Sequence, residues 1–334
     1  MLALHIGLPR AGSSAIQYCL ANQAEALTQA GLHYALEPAL ATRQANRVSS
    51  GNGLELARYL DPRRRPEGFS PERFEHDFDS TFVSPAQPVS LISSELCSAV
   101  SKSMLTRFRD AVVVGRPLRV VAVARNLYDH AFSCWSQTVK RQAYSHSFRR
   151  YVAELYDNPQ CRSLRAYGKA FGYESLRVIH YDSVEDRLFS AFLQALDFDP
   201  SATEPPRINR GLTRAELKVQ LAFNRIHGNR LMARAISDRF VGRRPDLPGD
   251  CMWDPEVAAM LEQRFGHELR RINRLVFDGR QLLSVTGERP RAEPPPKEPR
   301  TWIVAEAAQA ALTHAASRVL PGLGRGQDQG SAPV

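Results

Sequence analysis

The sequence predicts an α/β fold of three layers (αβα), in which a central parallel sheet lies between two layers of helices. Four apolar runs have the length of strands. The strongest, Leu118–Ala124, is β-branched and almost continuously apolar, which is typical of a strand buried on both faces. Helical patterns separate these runs, and strands that alternate with helices favour parallel pairing through right-handed crossovers. Hydrophobic residues make up 43% of the 334 residues, which is enough for a substantial core.

Each predicted strand is followed by at least one predicted helix, as parallel pairing requires. The predicted strands are Leu2–Gly7, Val89–Ile92, Leu118–Ala124 and Leu176–Tyr181. The helical patterns run from Ser13 to a stop at Gly31 and over Gly53–Leu60, Ser101–Val114, Leu127–Ala143, Phe148–Tyr156, Cys161–Phe171, Val184–Leu196, Arg214–Gly228 and Asp254–Phe277. We expect these elements to form one domain over residues 1–285.

Four stretches of different composition complete the predicted organisation. Residues 37–88 are polar and rich in arginine, and because no run of core residues stands out there, we expect an insertion over one face of the domain. Residues 286–300 have the proline content of a linker. Residues 301–321 are rich in alanine and predict one further helix, and the polar residues 322–334 predict a disordered tail.

The charge and the cysteines limit the class of protein. A net charge of +9 favours an anionic partner, and nucleic acid, a phosphorylated cofactor, an acidic glycan and an anionic membrane surface all fit. The five cysteines are scattered without metal-ligand spacing, so we expect reduced thiols and no metal site. No apolar run approaches the ~20 residues that span a bilayer, and no signal peptide stands out. We therefore expect a cytoplasmic protein.

The turn after the first predicted strand has the pattern of an anion-binding loop. It reads GLPRAGSS from Gly7 to Ser14, and it precedes a helix whose first backbone N–H groups could bind a phosphate. Gly7 and Gly12 have the spacing of a P-loop, G-x-x-x-x-G-K-[ST]. The lysine is replaced by Ser13, however, and the basic residue lies inside the loop as Arg10. This difference weakens the prediction of a kinase or nucleoside triphosphatase, which use that lysine and Mg²⁺.

The segment His5–Gln17, HIGLPRAGSSAIQ, resembles the 5′-phosphosulfate loop of bacterial sulfotransferases that use 3′-phosphoadenosine-5′-phosphosulfate (PAPS). Their usual form is roughly HIGLPKTGTTSIQ. The resemblance implies a P-loop NTPase-like sulfotransferase fold, with 1–285 as the catalytic domain, and metal-free sulfuryl transfer from PAPS that releases PAP. The residues that it places on the cofactor are Arg10, Ala11, Gly12, Ser13, Ser14 and Ala15. Arginine keeps its proton (pKa above ~12), so the catalytic role expected of Arg10 is electrostatic.

The resemblance also implies a 3′-phosphate site made by an arginine at the end of a central strand and a serine about two helical turns later. Arg125 follows the strand Leu118–Ala124, at the carboxyl end where open α/β sheets bind ligands, and Ser133 lies eight positions further on. Taken alone, Arg125 could equally be an ion-paired strand end.

A late basic loop resembles the segment that closes over the 3′-phosphate in related sulfotransferases. It runs from Pro205 to Leu212, and its candidate ligands are Arg207, Arg210 and Gly211. An exposed arginine-rich turn without a ligand is the alternative.

Transfer to a hydroxyl requires a base that accepts its proton. Glu95 follows Ser93 and Ser94 at the end of the second predicted strand, where the bacterial family commonly has Ser-Ser-Glu, so we predict that Glu95 is the base. Alternatively, Glu95 caps the next helix or pairs with an arginine. Weaker candidates for the base are His33, His130 and His180.

The predicted acceptor is a hydroxyl of a carbohydrate or glycolipid, bound where the insertion 37–88 shapes the site. Two alternatives stay open: a kinase with a degenerate phosphate loop, and a catalytically inactive protein that binds PAP or nucleic acid. We expect no nucleic-acid partner, because the arginines form no aromatic-interleaved stripe. Peripheral membrane contact and the oligomeric state are left open by the sequence.

Overall fold

The computed structural model describes residues 1–35, 51–198, 204, 210–245, 247, 249, 252–277, 283–287 and 300–319. The chain divides into two compact units. Unit 1 comprises Met1–Ala131, Tyr156–Ile208 and Pro255–Glu288. Unit 2 comprises Phe132–Leu155, Asn209–Asp254 and Arg289–Val334. The predicted tail and most of the predicted linker lie outside the described residues.

The described residues form five strands and a larger set of helices. The strands are β1 (Leu2–Ile6), β2 (Leu32–His33), β3 (Val89–Ser94), β4 (Leu118–Ala124) and β5 (Leu176–His180). The α-helices are α1 (Ser13–Asn22), α2 (Ala24–Gln29), α3 (Leu54–Leu60), α4 (Pro71–Phe82), α5 (Lys102–Phe108), α6 (Leu127–Gln142), α7 (Phe148–Glu154), α8 (Pro159–Phe171), α9 (Leu188–Gln194), α10 (Arg214–His227), α11 (Arg230–Arg243), α12 (Pro255–Val276) and α13 (Arg300–Val319). Short 3₁₀ turns include Glu95–Ser98 and Tyr181–Ser183.

Unit 1 contains a parallel sheet of order β2-β3-β1-β4-β5, flanked by helices. β1 and β3 are buried along their whole length, and β4 is buried from Val120 to Ala124. This burial explains why β4 reads as a continuous apolar run from Val120 to Ala124 rather than as an alternating pattern. The predicted α/β class with a central parallel sheet is confirmed.

The register of the sheet brings together the strand ends that matter for a binding site. Ile6 lies beside Ser94, so the turn after β1 and Glu95 leave the sheet side by side. Ala124 lies beside His180, so Arg125 and Tyr181 leave it together. β1 and β4 are neighbours in the sheet. After β1 the chain continues to β2 at one edge of the sheet, and after β4 it continues to β5 at the other edge, so the two connections leave in opposite directions. Open α/β sheets bind ligands at such a switch point.

Two details near the amino terminus differ from the prediction. The first helix is not continuous to Gly31, because α1 ends at Asn22 and α2 begins at Ala24. The Asn22 side chain donates to the carbonyl of Tyr18 (2.7 Å), the kind of local bond by which asparagine competes with helical bonding. The edge strand β2 was not predicted, because two residues carry no periodic signal.

The expectation that residues 37–88 lack core residues is wrong for the described part, 51–88. Helix α4 buries Phe74, Phe78 and Phe82, which are four positions apart and therefore lie on one face. Phe74 stacks on Tyr59 with ring centroids 4.6 Å apart, and Phe78 meets Phe108 edge to face at 5.6 Å. This segment is therefore part of the hydrophobic core of unit 1.

Unit 2 contains a helix that the sequence analysis missed. α11 follows α10 through a left-handed glycine, Gly228, and the Asn229 side chain caps its first turn. The predicted helix over 301–321 is present as α13. None of the helices among the described residues is long and apolar enough to cross a membrane.

Candidate functional site

The loop between β1 and α1 has a backbone shaped for an anion. Arg10 and Gly12 have positive φ angles of 63° and 84°, and α1 begins directly after them at Ser13. The N–H groups of Ala15 and Ile16 donate to the carbonyl of Gly12. The N–H groups at the start of such a helix have no partner within it, so they are donors for a ligand.

Close packing requires glycine at Gly7 and Gly12, and Gly12 is also required by its backbone angle. A Cβ on Gly7 would lie 2.8 Å from the Cα of Glu95 and 2.9 Å from the Ser13 Oγ. A Cβ on Gly12 would collide with Leu188 and lie 3.1 Å from the ring of Tyr181. The loop is therefore packed between Glu95 on one side and the segment after β5 on the other.

Two donors that follow β4, one on the β4–α6 connection and one in the first turn of α6, hold consecutive carbonyl groups of this loop. The Nη1 of Arg125 donates to the Arg10 carbonyl (3.4 Å), and the Nε2 of His130 bonds the Pro9 carbonyl (3.0 Å). In a trans peptide the N–H points opposite to the C=O of the same unit. With these carbonyls directed at Arg125 and His130, the N–H groups of Arg10 and Ala11 therefore point to the opposite side.

His130 is a structural residue, not a base. Its ring is fully buried, and its Nδ1 lies 2.7 Å from the hydroxyl of Tyr156. Burial, with the nearby charges of Arg125 and Arg10, lowers the pKa of His130 to about 3. The ring is therefore neutral near pH 7, and it holds the loop at Pro9 by donating a hydrogen bond.

Arg125 is held at the loop by contacts on several sides. Its backbone N–H and carbonyl both bond the side-chain amide of Gln160, at 3.1 and 2.8 Å. Its guanidinium lies 4.7 Å from the centre of the Tyr181 ring, and its Nη2 is 3.7 Å from a carboxylate oxygen of Asp182. Its Nε is buried and has no hydrogen-bond partner among the described residues. An unpartnered cationic donor beside the loop fits a phosphate ligand.

Asp182 fixes the start of α6. One of its carboxylate oxygens accepts from the backbone N–H of Asn126 (3.0 Å) and from the Asn126 amide (2.8 Å). The amide oxygen of Asn126 in turn accepts from the backbone and hydroxyl of Ser284, at 3.0 and 3.1 Å. These bonds explain how the chain leaves β4 at a defined angle, with Arg125 against the loop.

Glu95 lies beside the same loop, where the prediction placed the base. Its Oε1 is 3.5 Å from the hydroxyl of Ser14. Burial raises the pKa of the Glu95 carboxyl, and the charge of Arg10 and the bond from Ser14 partly offset this effect. The 3₁₀ turn that follows is capped by Ser94, whose hydroxyl accepts from the N–H of Leu96, so Glu95 does not act as its cap.

His5 and Gln17 are site-supporting residues whose role was not predicted. They stand at the two ends of the segment that resembles the phosphosulfate loop, and both contact the hydroxyl of Ser93, at 2.8 and 3.3 Å. Burial lowers the pKa of His5 to about 3. Their role could have been predicted, because both residues are part of the segment that resembles the phosphosulfate loop. Together they tie α1 and β1 to the end of β3, two residues before Glu95.

The remaining predicted cofactor residues are not brought to the loop by the described structure. Ser133 and Gly211 belong to unit 2, whereas Arg125 belongs to unit 1, so their place at the 3′-phosphate stays a prediction. Arg207 lies outside the described residues. His180, a weaker candidate for the base, bonds the hydroxyl of Ser183 at 2.6 Å.

Arg210 does not fit its predicted role as a phosphate ligand. Its side chain is 1% exposed and forms a two-bond ion pair with Glu216, at 2.7 and 2.8 Å. Its other three donors bond the carbonyl oxygens of Gly211, Phe240 and Arg244. All five N–H groups of the guanidinium are thus used. Arg210 is a structural residue that links the start of α10 to the end of α11.

No protein-family model and no curated protein matches the chain. A solved structure that is similar to it is the crystal structure of a sulfotransferase from Alicyclobacillus acidocaldarius. The identity is 14% and the TM-score 0.44, over 82% of this chain and 95% of the other. Among the described residues, no three His, Cys, Asp or Glu side chains form a group that could hold a metal ion.

The role of Gly12 can be separated from general backbone strain by a matched pair of variants. Gly12 and Gly115 both have positive φ angles, so alanine costs roughly 1–2 kcal/mol at either position. Only at Gly12 does the new methyl group meet Leu188 and Tyr181, whereas a Cβ on Gly115 has nothing within 4 Å. Gly12→Ala should weaken binding of PAP, measured by calorimetry, at least about tenfold. Gly115→Ala should bind like the wild type, and equal effects would contradict this account.

The structural role of Arg210 predicts a loss of stability without a loss of ligand affinity. Arg210→Gln leaves Glu216 buried without its cation, which costs about 3–5 kcal/mol. As a control, Arg243→Gln removes a cation that is 66% exposed and lies 3.7 Å from Glu306, so it should cost about 1 kcal/mol or less. Urea denaturation measures both changes. Arg210→Gln that is as stable as the wild type but fails to bind PAP would restore Arg210 as a ligand.

Proposed function

We propose that this protein transfers a sulfuryl group from PAPS to a hydroxyl of an acceptor and releases PAP. The observation that carries the proposal is the bond from Arg125 to the carbonyl of Arg10 (3.4 Å). It joins the two segments that resemble, separately, the 5′-phosphosulfate loop and the 3′-phosphate site of the bacterial sulfotransferases. These segments are 115 positions apart in the sequence.

The loop residues would hold the 5′-phosphosulfate. PAPS supplies the sulfuryl group when it is bound. The N–H groups of residues 10–14 and the Arg10 guanidinium provide the positive potential that a sulfonate and a departing phosphate need. The hydroxyl of Ser13 donates to the Leu8 carbonyl at 3.2 Å, so Ser13 would also keep the loop in shape. Ala15 would act through its position in the first turn of α1.

Arg125 would distinguish PAPS from nucleotides without a 3′-phosphate. Its buried Nε has no partner among the described residues, so binding a phosphate would satisfy a donor that otherwise costs free energy. Asp182 is the anion beside the guanidinium, but its Oδ1 lies 3.7 Å from the Nη2, beyond hydrogen-bonding distance, and its Oδ2 accepts two bonds from Asn126. A phosphate is therefore the stronger partner available to Arg125. Ser133, Arg207 and Gly211 would complete this subsite.

Glu95 would take the proton of the acceptor hydroxyl. A carboxylate accepts a proton more readily when its pKa is raised towards the working pH, and burial acts in that direction on Glu95. The charge of Arg10 opposes this effect and favours the ionised carboxylate. The same cation would thus serve the base and the sulfonate.

A carbohydrate or glycolipid is the proposed acceptor, and the proposal is that the insertion 37–88 shapes its site. The arginine run in this region contributes less free charge than the sequence indicates, because Arg63 and Arg64 both pair with Asp61. The kinase alternative is the weaker one. It lacks the lysine at position 13, and Asp182 binds Asn126 instead of standing free as a Mg²⁺ ligand.

Calorimetric titration with PAP and with ADP, without metal, tests the cofactor. We expect micromolar binding of PAP with at least about tenfold preference over ADP, because only PAP offers a 3′-phosphate to Arg125. Arg125→Ala should abolish the preference. The matched control is Arg119→Ala, at the other end of β4, where the guanidinium pairs with Asp197. Equal binding of ADP that depends on Mg²⁺ would contradict the proposal and favour the kinase.

The pKa of Glu95 gives a second test that needs no acceptor. The carboxyl should titrate above the ordinary glutamate value, because burial disfavours its charged form. Arg10→Ala removes a charge that lowers this pKa, so the titration should move to higher pH, and Ser14→Ala should shift it the same way. Catalysis by Glu95 would accordingly be lost as the pH falls through this raised value.

The measurement is the carboxyl ¹³C shift of labelled glutamate, assigned with Glu95→Gln. A Glu95 pKa at or below the ordinary glutamate value, or a downward shift in Arg10→Ala, would exclude the proposed environment of the base.

A further inference from the structure

The connection between α10 and α11 in unit 2 exposes aliphatic side chains beside arginines. Ile226, in the last turn of α10, is 75% exposed, and Leu231, in the first turn of α11, is 50% exposed. Arg225 and Arg230 flank this turn and are also exposed. We refer to residues 225–231 as the hairpin tip.

The hairpin tip has a defined conformation. Gly228 takes the left-handed conformation (φ 57°) that ends α10, and the Asn229 side chain accepts from the N–H groups of Leu231 and Met232, at 2.9 and 3.0 Å. The Nε of Arg225 donates to the carbonyl of Ser145 (3.2 Å), which lies between α6 and α7. This bond fixes one side of the tip. The exposure of the two aliphatic side chains is therefore a property of capped helix ends.

The charge around the tip is of one sign. Between Glu216 and Asp238 the sequence contains no acidic residue, and Glu216 itself is buried against Arg210. Asp238 pairs with Arg141 at 2.6 Å. Arg230 and Arg234 lie four positions apart on the exposed face of α11 and have no ion-pair partner among the described residues. The buried face of the helix consists of Ala233, Ile236, Ser237 and Phe240.

We propose that the hairpin tip docks on the surface of an anionic lipid bilayer. Ile226 and Leu231 would enter the boundary between headgroups and acyl chains, and Arg225, Arg230 and Arg234 would bind lipid phosphates. Nucleic acid also fits the charge, and the exposed ring of His227 lies between the two aliphatic side chains, but base stacking gives no reason to expose Ile226 and Leu231 themselves. The tip contains none of the residues assigned to PAPS, so the proposal holds whether or not the chain transfers sulfuryl groups.

Co-sedimentation of the full-length protein with vesicles tests this docking directly. The vesicles are pure phosphatidylcholine, or an equal mixture of phosphatidylcholine and phosphatidylglycerol. We expect binding to the mixed vesicles only, weakening as salt is raised, because the attraction is screened. Arg230→Gln with Arg234→Gln should weaken binding at least about tenfold, and so should Ile226→Ser with Leu231→Ser.

Two matched controls separate the tip from general basicity and general exposure. Arg271→Gln with Arg274→Gln removes two exposed arginines of α12, and Val114→Ser with Leu312→Ser removes two aliphatic side chains that are each 70% exposed. Both controls should bind the mixed vesicles like the wild type. Absence of binding to the mixed vesicles, or equal losses in the tip and control variants, would overturn the proposal. Tip variants that lose affinity for an oligonucleotide but not for vesicles would overturn it in favour of nucleic acid.

Discussion

The candidate site depends on one constraint: the carbonyl groups of Pro9 and Arg10 are held by His130 and Arg125. These two bonds determine which way the peptide units of the phosphate loop face, and so direct the N–H groups of Arg10 and Ala11 to the other side. Arg125 lies on the connection after β4 and His130 in the first turn of α6, and the Asp182–Asn126 bonds hold that connection in place. The candidate site is thus built by the contact between two neighbouring strand ends, not by the loop sequence alone.

The same contact explains the electrostatics of the site. Two arginines meet at the carboxyl edge of the sheet, and the histidine beside them is buried and neutral, so it adds no positive charge near pH 7. Glu95 lies beside the loop. Burial raises the pKa of its carboxyl, and the charge of Arg10 lowers it. The cation of Arg10 thus lies where it favours both a bound anion and the ionised form of Glu95.

Much of this arrangement could be predicted from the sequence, because it follows from strand order. Apolar runs that alternate with helices predict a parallel sheet, and parallel strands bring their carboxyl ends to one edge. The meeting of Glu95, Arg125 and the loop at that edge is a consequence. The bonds from Arg125 and His130 to the loop carbonyls could not be predicted. His130 is 121 positions from Pro9, so nothing in the local sequence indicates their hydrogen bond. Strand β2 was missed because two residues show no period.

Two errors were avoidable, because their signals are local. Thr213 and Glu216 form a capping box, a spacing that is legible in the sequence and that commits Glu216, and with it Arg210, to the start of α10. Arg210 was instead assigned by its position in a basic turn. In α4, the phenylalanines at 74, 78 and 82 have helical spacing, but the charged residues between them concealed the buried face.

The most direct measurement of the central claim is a crystal structure of the protein with PAP bound. The account predicts the 5′-phosphate within hydrogen-bonding distance of the N–H groups of residues 11–14, and the 3′-phosphate on the guanidinium of Arg125. It also predicts that the Arg125 and His130 bonds to the loop carbonyls are retained. PAP bound at another surface, or bound at the loop with its 3′-phosphate turned away from Arg125, would contradict it.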